Sequence, residues 1–140
     1  MPAKDIFHDA VKAALQKDEW IIIRENFRIQ VDDEGLAMFV DLVAQKLINA
    51  EKNNRKIAVE VKSFQEPSTF YQFHAALGQY LNCRSALKEL MPDWIVYLAV
   101  PLETYQEFFR LKFIQERIEE YDIKLLIFRP DVEEIVLWRD

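Results

Sequence analysis

Between Met38 and Phe64 the chain places acids and an amine inside runs that otherwise read as strand, and this conflict constrains the fold more than any other feature. In Ile57-Ala58-Val59-Glu60-Val61-Lys62-Ser63, side chains two apart point the same way on a strand. Ala58, Glu60 and Lys62 therefore share one face, and Ile57, Val59 and Val61 the other. Upstream, Met38-Phe39-Val40-Asp41-Leu42-Val43 is a second apolar run interrupted by one acid. An acid buried there without a partner costs several kcal/mol, so Asp41 requires a lysine, a metal ion or water beside it.

The rest of the chain supplies layers around these two strands. Ala3 to Lys17 reads as a helix, with Ile6, Phe7, Ala10, Val11, Ala14 and Leu15 at three- and four-residue steps; Asp5, Asp9 and Lys12 lie on its other face and His8 near the border. Glu19 to Arg24 is too rich in β-branched and aromatic residues for a surface helix and predicts a strand, continuing irregularly through Phe27 to Val31. Asp32-Asp33-Glu34-Gly35 is a turn. From Ala44 to Lys52 the chain reads either as a short helix or as a strand leading to a tight turn at Asn53-Asn54. A two-residue turn there sets Glu60 opposite Leu47. For Asp41 to face Glu60 the connection has to be longer or bulged, which predicts about ten residues of irregular or helical connection.

Beyond Phe64, Ser68 caps a long helix to Leu90, closed by Pro92. It carries one stripe of Phe70, Phe73, Leu77 and Leu81, with His74 falling on it as a core or interface histidine. A second, smaller face holds Ala75, Ala76, Gln79, Cys83 and Ala86, so both faces are expected to be covered, which favours a homodimer. Asp93 to Val100 and Ile123 to Phe128 are apolar runs of the kind buried on both sides of a sheet, and Glu103 to Tyr121 between them is helical in one or two pieces. Ile135 to Trp138 closes the chain as an edge strand. The order predicts a single α/β domain over residues 1–140, with a central mixed β-sheet flanked by helices: an antiparallel meander joined to later strands by helical crossovers.

Composition narrows the function classes. A chain of 140 residues with 51% hydrophobic residues and ten Phe can bury a core without staples, and the lone Cys83 excludes an internal disulfide and reads as a packing residue. No apolar run reaches the roughly 18 residues that cross a bilayer, and the first residues lack the apolar segment of a signal peptide. A soluble cytoplasmic protein, with no membrane partner, is therefore expected. A formal charge of −6 argues against coating DNA by charge alone. Lys52, Arg55 and Lys56, beside the strand that bears Glu60, form the best local basic cluster for nucleic acid; a solvated turn is the plainer reading.

A carboxylate on one strand beside Glu-x-Lys on the next can bind Mg²⁺ (or Mn²⁺), which takes oxygen ligands and keeps several waters. In this scheme Asp41, Glu60 and the main-chain carbonyl of Val61 are metal ligands and Lys62 is the catalytic cation. Gln79 positions a water or a phosphate, and His8 is an accessory ligand or phosphate contact. The plainer alternatives are a solvent-facing Glu-x-Lys pair, a structural salt bridge from Asp41 to Lys62, and a solvated His8 at the helix border.

Asp41 followed by Val59-Glu60-Val61-Lys62 resembles the PD-(D/E)XK nuclease signature, with Val40 standing where that signature is named for proline, and Gln79-Tyr80 resembles a secondary motif of several of its branches. Almost the whole chain resembles the XisH family of fdxN element excision controlling factors. The matching stretches are Ala3-Lys4-Asp5-Ile6-Phe7-His8, Arg55 to Phe64, Phe73 to Tyr80, and Tyr97-Leu98-Ala99-Val100-Pro101. The resemblance implies a restriction-endonuclease-like fold and a role in programmed excision of a DNA element during heterocyst development, alongside a site-specific recombinase and the companion factor XisI. It leaves two functions open, a Mg²⁺-dependent nuclease and a non-catalytic accessory module that binds DNA or a partner protein.

Overall fold

Six strands pair in their order along the chain, so each new strand adds to the edge left by the one before. The fold comes from a computed structural model that describes residues 4–47 and 54–140. Its elements are α1 (His8–Lys17), β1 (Ile21–Gln30), β2 (Ala37–Leu47), β3 (Asn54–Val61), α2 (Thr69–Leu90), β4 (Ile95–Pro101), α3 (Leu102–Glu107), α4 (Lys112–Glu120), β5 (Leu125–Arg129) and β6 (Glu134–Arg139). β1, β2 and β3 form the antiparallel meander; β3, β4 and β5 run parallel through helical crossovers; β6 returns antiparallel as an edge. The predicted α/β class and mixed sheet are therefore observed.

Helices cover both faces. Val11 and Leu15 of α1 pack with Leu42, Ala44, Val59, Tyr97 and Ala99 on one side. On the other, Phe73, Tyr80 and Leu87 of α2 and Ile114 and Ile118 of α4 pack with Ala58, Leu98 and Val100. β4 is buried on both faces, as its continuous apolar run predicts. No helix among the described residues is long and apolar enough to cross a membrane.

The connection after Val43 differs from expectation. Ala44 to Leu47 is neither helix nor irregular chain but the end of β2, paired with β3 from Leu42–Val59 to Leu47–Asn54. The helix-forming preference of Ala-Gln-Lys-Leu yields to pairing at the centre of a sheet, where burial decides the conformation. The part of the expected connection at residues 48–53, including the turn at Asn53, lies outside the described residues. Leu47 faces Asn54 rather than Glu60, and the same register carried one pair past Leu42–Val59 brings Asp41 beside Glu60.

A sharp twist falls at that point. Val40 packs with the α2 side and Leu42 with the α1 side, although residues two apart on a flat strand share a face. Between Phe27–Val40 and Glu25–Leu42 in the neighbouring strand lies Asn26, whose φ of 48° is in the left-handed region that asparagine tolerates. β1 carries a further irregularity between Ile22 and Arg24, earlier in the strand than the irregular continuation through Phe27 to Val31 that the sequence suggested.

The long helix starts at its expected cap, where Ser68 Oγ accepts from the Tyr71 amide at 3.2 Å. Its buried side differs from the predicted stripe. Phe73, Ala76, Tyr80, Cys83 and Leu87 are buried, Leu77 and Leu81 only partly so, and Phe70 is half exposed. The small residues Ala76 and Cys83 let the helix close on the sheet. Tyr80 is accommodated because its hydroxyl donates to the Val96 carbonyl and accepts from the Lys124 amide, both at 3.0 Å. His74 is exposed, not in the core, and stacks on Phe70 with ring centres 4.5 Å apart.

The Tyr80 hydroxyl thus ties α2 to β4 and to the start of β5. Tyr80→Phe is expected to cost about 1–3 kcal/mol, because it leaves a buried carbonyl and amide short of a partner. The check is urea denaturation, with a lower midpoint at unchanged slope. An unchanged midpoint contradicts the role given to the hydroxyl.

Candidate active site

Where β2 twists, Asp41 leaves the apolar pattern of its strand and reaches across to β3. Its Oδ2 accepts from the Val61 main-chain N–H at 2.7 Å. Glu60 sits beside it, 8% exposed, on the face of β3 that meets α2. Lys62 continues that face one step beyond the strand, held to the sheet by its amide donating to the Ala99 carbonyl at 3.1 Å. Together with Met38 and Phe39 of β2, Asp5 and Gln79, these residues line a pocket of about 330 Å³. Gln79 comes from the exposed flank of α2, and Asp5 from the turn just before α1.

Asp5 was not among the residues singled out from the sequence. Its Oδ1 accepts from the Phe7 amide at 2.9 Å and its Oδ2 from the Ser63 amide at 3.1 Å, clipping the start of α1 to the chain that leaves β3. The local signal was only an aspartate able to bond the amide two residues on, inside a stretch from Ala3 that reads as helix; the helix itself begins at His8, three residues after Asp5. Its second anchor, 58 residues away, belongs to tertiary structure alone. Next to this clip Phe64 is buried with φ 56°, an uncommon conformation for a bulky residue, and packs edge-on against Phe109.

Two carboxylates side by side away from water raise each other's cost of ionisation. Burial pushes the Asp41 carboxyl up, with the Val61 amide opposing. Burial, and then the charge of Asp41, pushes Glu60 from its ordinary 4.5 up to about 9. Cys83, buried on α2, has its thiol pushed up by burial and by the facing Glu60. No ion pair joins Lys62 to Asp41 or Glu60, so the structural salt bridge between Asp41 and Lys62 is not formed. The solvent-facing reading of Glu60 fails as well, because the residue is buried.

Two buried carboxyls that resist ionisation without a counter-charge, oxygen donors on two strands and an opening to solvent are the conditions that suit a hard divalent cation. Asp41 and Glu60 fit such an ion. Val61 lines the same pocket, while its amide is the atom seen to bond Asp41.

Other predicted residues are not among those that line this pocket. His8 is 1% exposed rather than at a solvated border, and its Nε2 is 2.9 Å from Glu25 Oε1. Lys12 binds the other oxygen of Glu25 at 2.9 Å, and the two hold that carboxyl below the usual range, Lys12 more than His8. His8, Asp9 and Glu25 offer three ligand atoms within 4.8 Å of one another, but Lys4 on Asp9 and Lys12 on Glu25 already supply positive charge there. Arg55 donates to the Tyr97 hydroxyl at 2.6 Å, and its place on β3 is five residues from Glu60, about 17 Å along a strand. Lys56 lies beside Arg55, and Lys52 falls outside the described residues.

The XisH protein family model matches residues 1–136. The chain belongs to the XisH family. Two solved structures cover nearly all of it. An XisH family protein from Nostoc punctiforme PCC 73102 is 42% identical over 97% of this chain and 100% of its own, with a TM-score of 0.86. A fdxN element excision controlling factor protein from Anabaena variabilis is 41% identical over 96% of this chain and 98% of its own, again with a TM-score of 0.86. No functionally curated protein matches.

The crowded carboxylates give the family member a pH signature. Folding raises the proton affinity of Glu60, so its contribution to stability is fully present below the ordinary value of 4.5. That contribution is lost as pH rises toward about 9. The slope from this one group is at most about 1.4 kcal/mol per pH unit. Glu60→Gln, which keeps the shape and cannot ionise, is expected to flatten the decline and to exceed the wild type in unfolding free energy at pH 8. Parallel pH profiles for the two proteins in metal-free buffer contradict this.

Proposed function

We propose that this chain has a restriction-endonuclease-like fold and cleaves phosphodiester bonds with a divalent cation, in the service of excising a DNA element. The observation that carries the reading is the meeting of Asp41 and Glu60 across β2 and β3 in one open pocket with Lys62, which has no ion-pair partner among the described residues. Their order along the chain also fits the nuclease signature. The name of the Anabaena variabilis relative, an excision controlling factor, supports the wider role.

Asp41 and Glu60, with the main-chain carbonyl of Val61, would hold Mg²⁺ or Mn²⁺. Such an ion supplies a lowered pKa for water and neutralises charge on a phosphodiester. The chain's own residues supply the rest. The Val61 amide fixes the direction of Asp41 before any substrate arrives. The Lys62 ammonium, held at the end of β3, meets negative charge as it builds on a phosphate oxygen or leaving group. The amide of Gln79 has both a donor and an acceptor with which to orient a water or a phosphate oxygen. His8, an accessory ligand or phosphate contact in the sequence reading, is held instead by Glu25.

A second reading keeps the fold and drops the chemistry. The net charge of −6, with Lys62 the one cation among the described residues lining the pocket, favours an accessory module that reaches DNA through a recombinase or XisI. Incubation with single-stranded, duplex and branched DNA in Mg²⁺ and in Mn²⁺ separates the two. Cleavage by the wild type is expected, reduced about 10²–10³-fold in Lys62→Ala and lost in Asp41→Asn. Absence of cleavage on every substrate in both metals, or equal cleavage by both variants, removes the nuclease reading.

A further inference from the structure

Beside the acidic pocket lies a second, larger hollow of about 600 Å³ that none of the chemistry above uses. Its floor is the outer flank of α2, where Asn82, Ser85 and Ala86 are small enough to leave a trough. Its far wall is the end of the β1–β2 hairpin, with Leu36, Ala37 and Met38. Val31 and Leu90 stand along the rim, and with Leu36, which is 62% exposed, they make an apolar surface open to water. Large exposed apolar residues gathered around one concavity mark a surface that is covered by something else.

The charges around the trough select what can cover it. Glu89 lines it, and the exposed turn Asp32-Asp33-Glu34 adjoins Val31 and Leu36 at its rim. Neither lysine nor arginine is among the lining residues, and the nearest cation on the hairpin, Arg28, is turned to the Gly35 carbonyl at 3.5 Å. A nucleic-acid backbone has nothing there to neutralise its phosphates. A second copy of this chain, itself at −6, is a poor electrostatic match.

We infer that this trough docks a basic amphipathic helix of a partner protein, its apolar side chains seated between α2 and the hairpin and its lysines or arginines meeting Glu89 and the acidic turn. Helix-in-groove recognition needs apolar surface for anchors at i, i+3, i+4 and i+7, and a charged rim that sets polarity. Val31, Leu36, Met38 and Leu90 on the wall and rim supply the first, and Glu89 with the acidic turn the second. Gln79 and Met38 line the trough and also the acidic pocket, so a docked helix lies against the wall of the candidate active site. Binding at the trough would thus govern access to the pocket. The docking itself does not depend on whether the pocket cleaves anything.

The test uses a fluorescently labelled 18-residue peptide of leucine and lysine with leucines at i, i+3, i+4 and i+7, followed by anisotropy against the full chain. A scrambled isomer and a glutamate-for-lysine version serve as controls. Glu89→Lys reverses the rim charge, and Ser85→Trp fills the trough without changing charge; both positions are exposed, so the fold tolerates them. Each is expected to weaken binding about tenfold or more. Glu119→Lys, an equal charge change at an exposed site on α4, and Asp41→Asn in the pocket should both leave binding unchanged. The inference is overturned if neither trough variant weakens binding, if Glu119→Lys weakens it as much, or if either control peptide binds as well. It is also overturned if the trough variants instead abolish binding of a labelled oligothymidylate, or convert a sedimenting dimer to monomer, since the occupant is then nucleic acid or a second copy.

Discussion

Everything about the candidate site depends on two carboxylates being forced together where neither wants to be. Asp41 and Glu60 belong to strands that bury almost every neighbour, and pairing from Leu42–Val59 onward leaves them no other place to go. Each loses hydration and each opposes the ionisation of the other, which is why Glu60 holds its proton far above the ordinary range. A fold selected for stability alone would replace the pair with apolar residues of similar volume. Retaining it, with an opening to solvent and a lysine held alongside, is the kind of local violation that functional sites show.

The surrounding structure bears this cost at several points. The Val61 amide partly compensates Asp41, and the twist at Asn26 and Asp41 turns the carboxylate out of the packed layers without breaking the sheet. Asp5 fastens α1 to the exit of β3, fixing the segment that carries Lys62. The twist that aims Asp41 also changes the side on which the end of the hairpin packs, laying it over α2 and opening the trough beside Gln79. A partner seated in the trough would lean on Gln79 and Met38, which also line the acidic pocket.

Periodicity made much of this legible in advance. Alternation in Ile57 to Ser63 placed Glu60 and Lys62 on one face, and the continuous apolar runs at β4 and β5 marked strands covered twice. The register rule showed that Asp41 and Glu60 could meet only if the turn between them was not tight, and the observed pairing agrees. What failed were the places where tertiary contacts overrule local preference. Ala44 to Leu47 has the composition of a helix and lies in a strand because β3 is there to pair with it. On α2, both faces were expected to be covered; the side where Ala76 and Cys83 allow close approach and Tyr80 finds two partners is buried, while Phe70 on the larger stripe stays half exposed. His8 was read as a border residue, and its burial depends on Glu25 arriving from β1 to pair its Nε2. None of those partnerships has a signature in adjacent residues.

Crystals grown near neutral pH and soaked in Mn²⁺ test most directly, through anomalous scattering, whether the crowded pair is a cation site. A strong anomalous peak is expected between Asp41 and Glu60, within coordinating distance of both carboxylates and abolished in Asp41→Asn crystals. An empty pocket in fully soaked crystals, with the two side chains still sharing a proton, or ions bound only at exposed acidic surfaces, would contradict it.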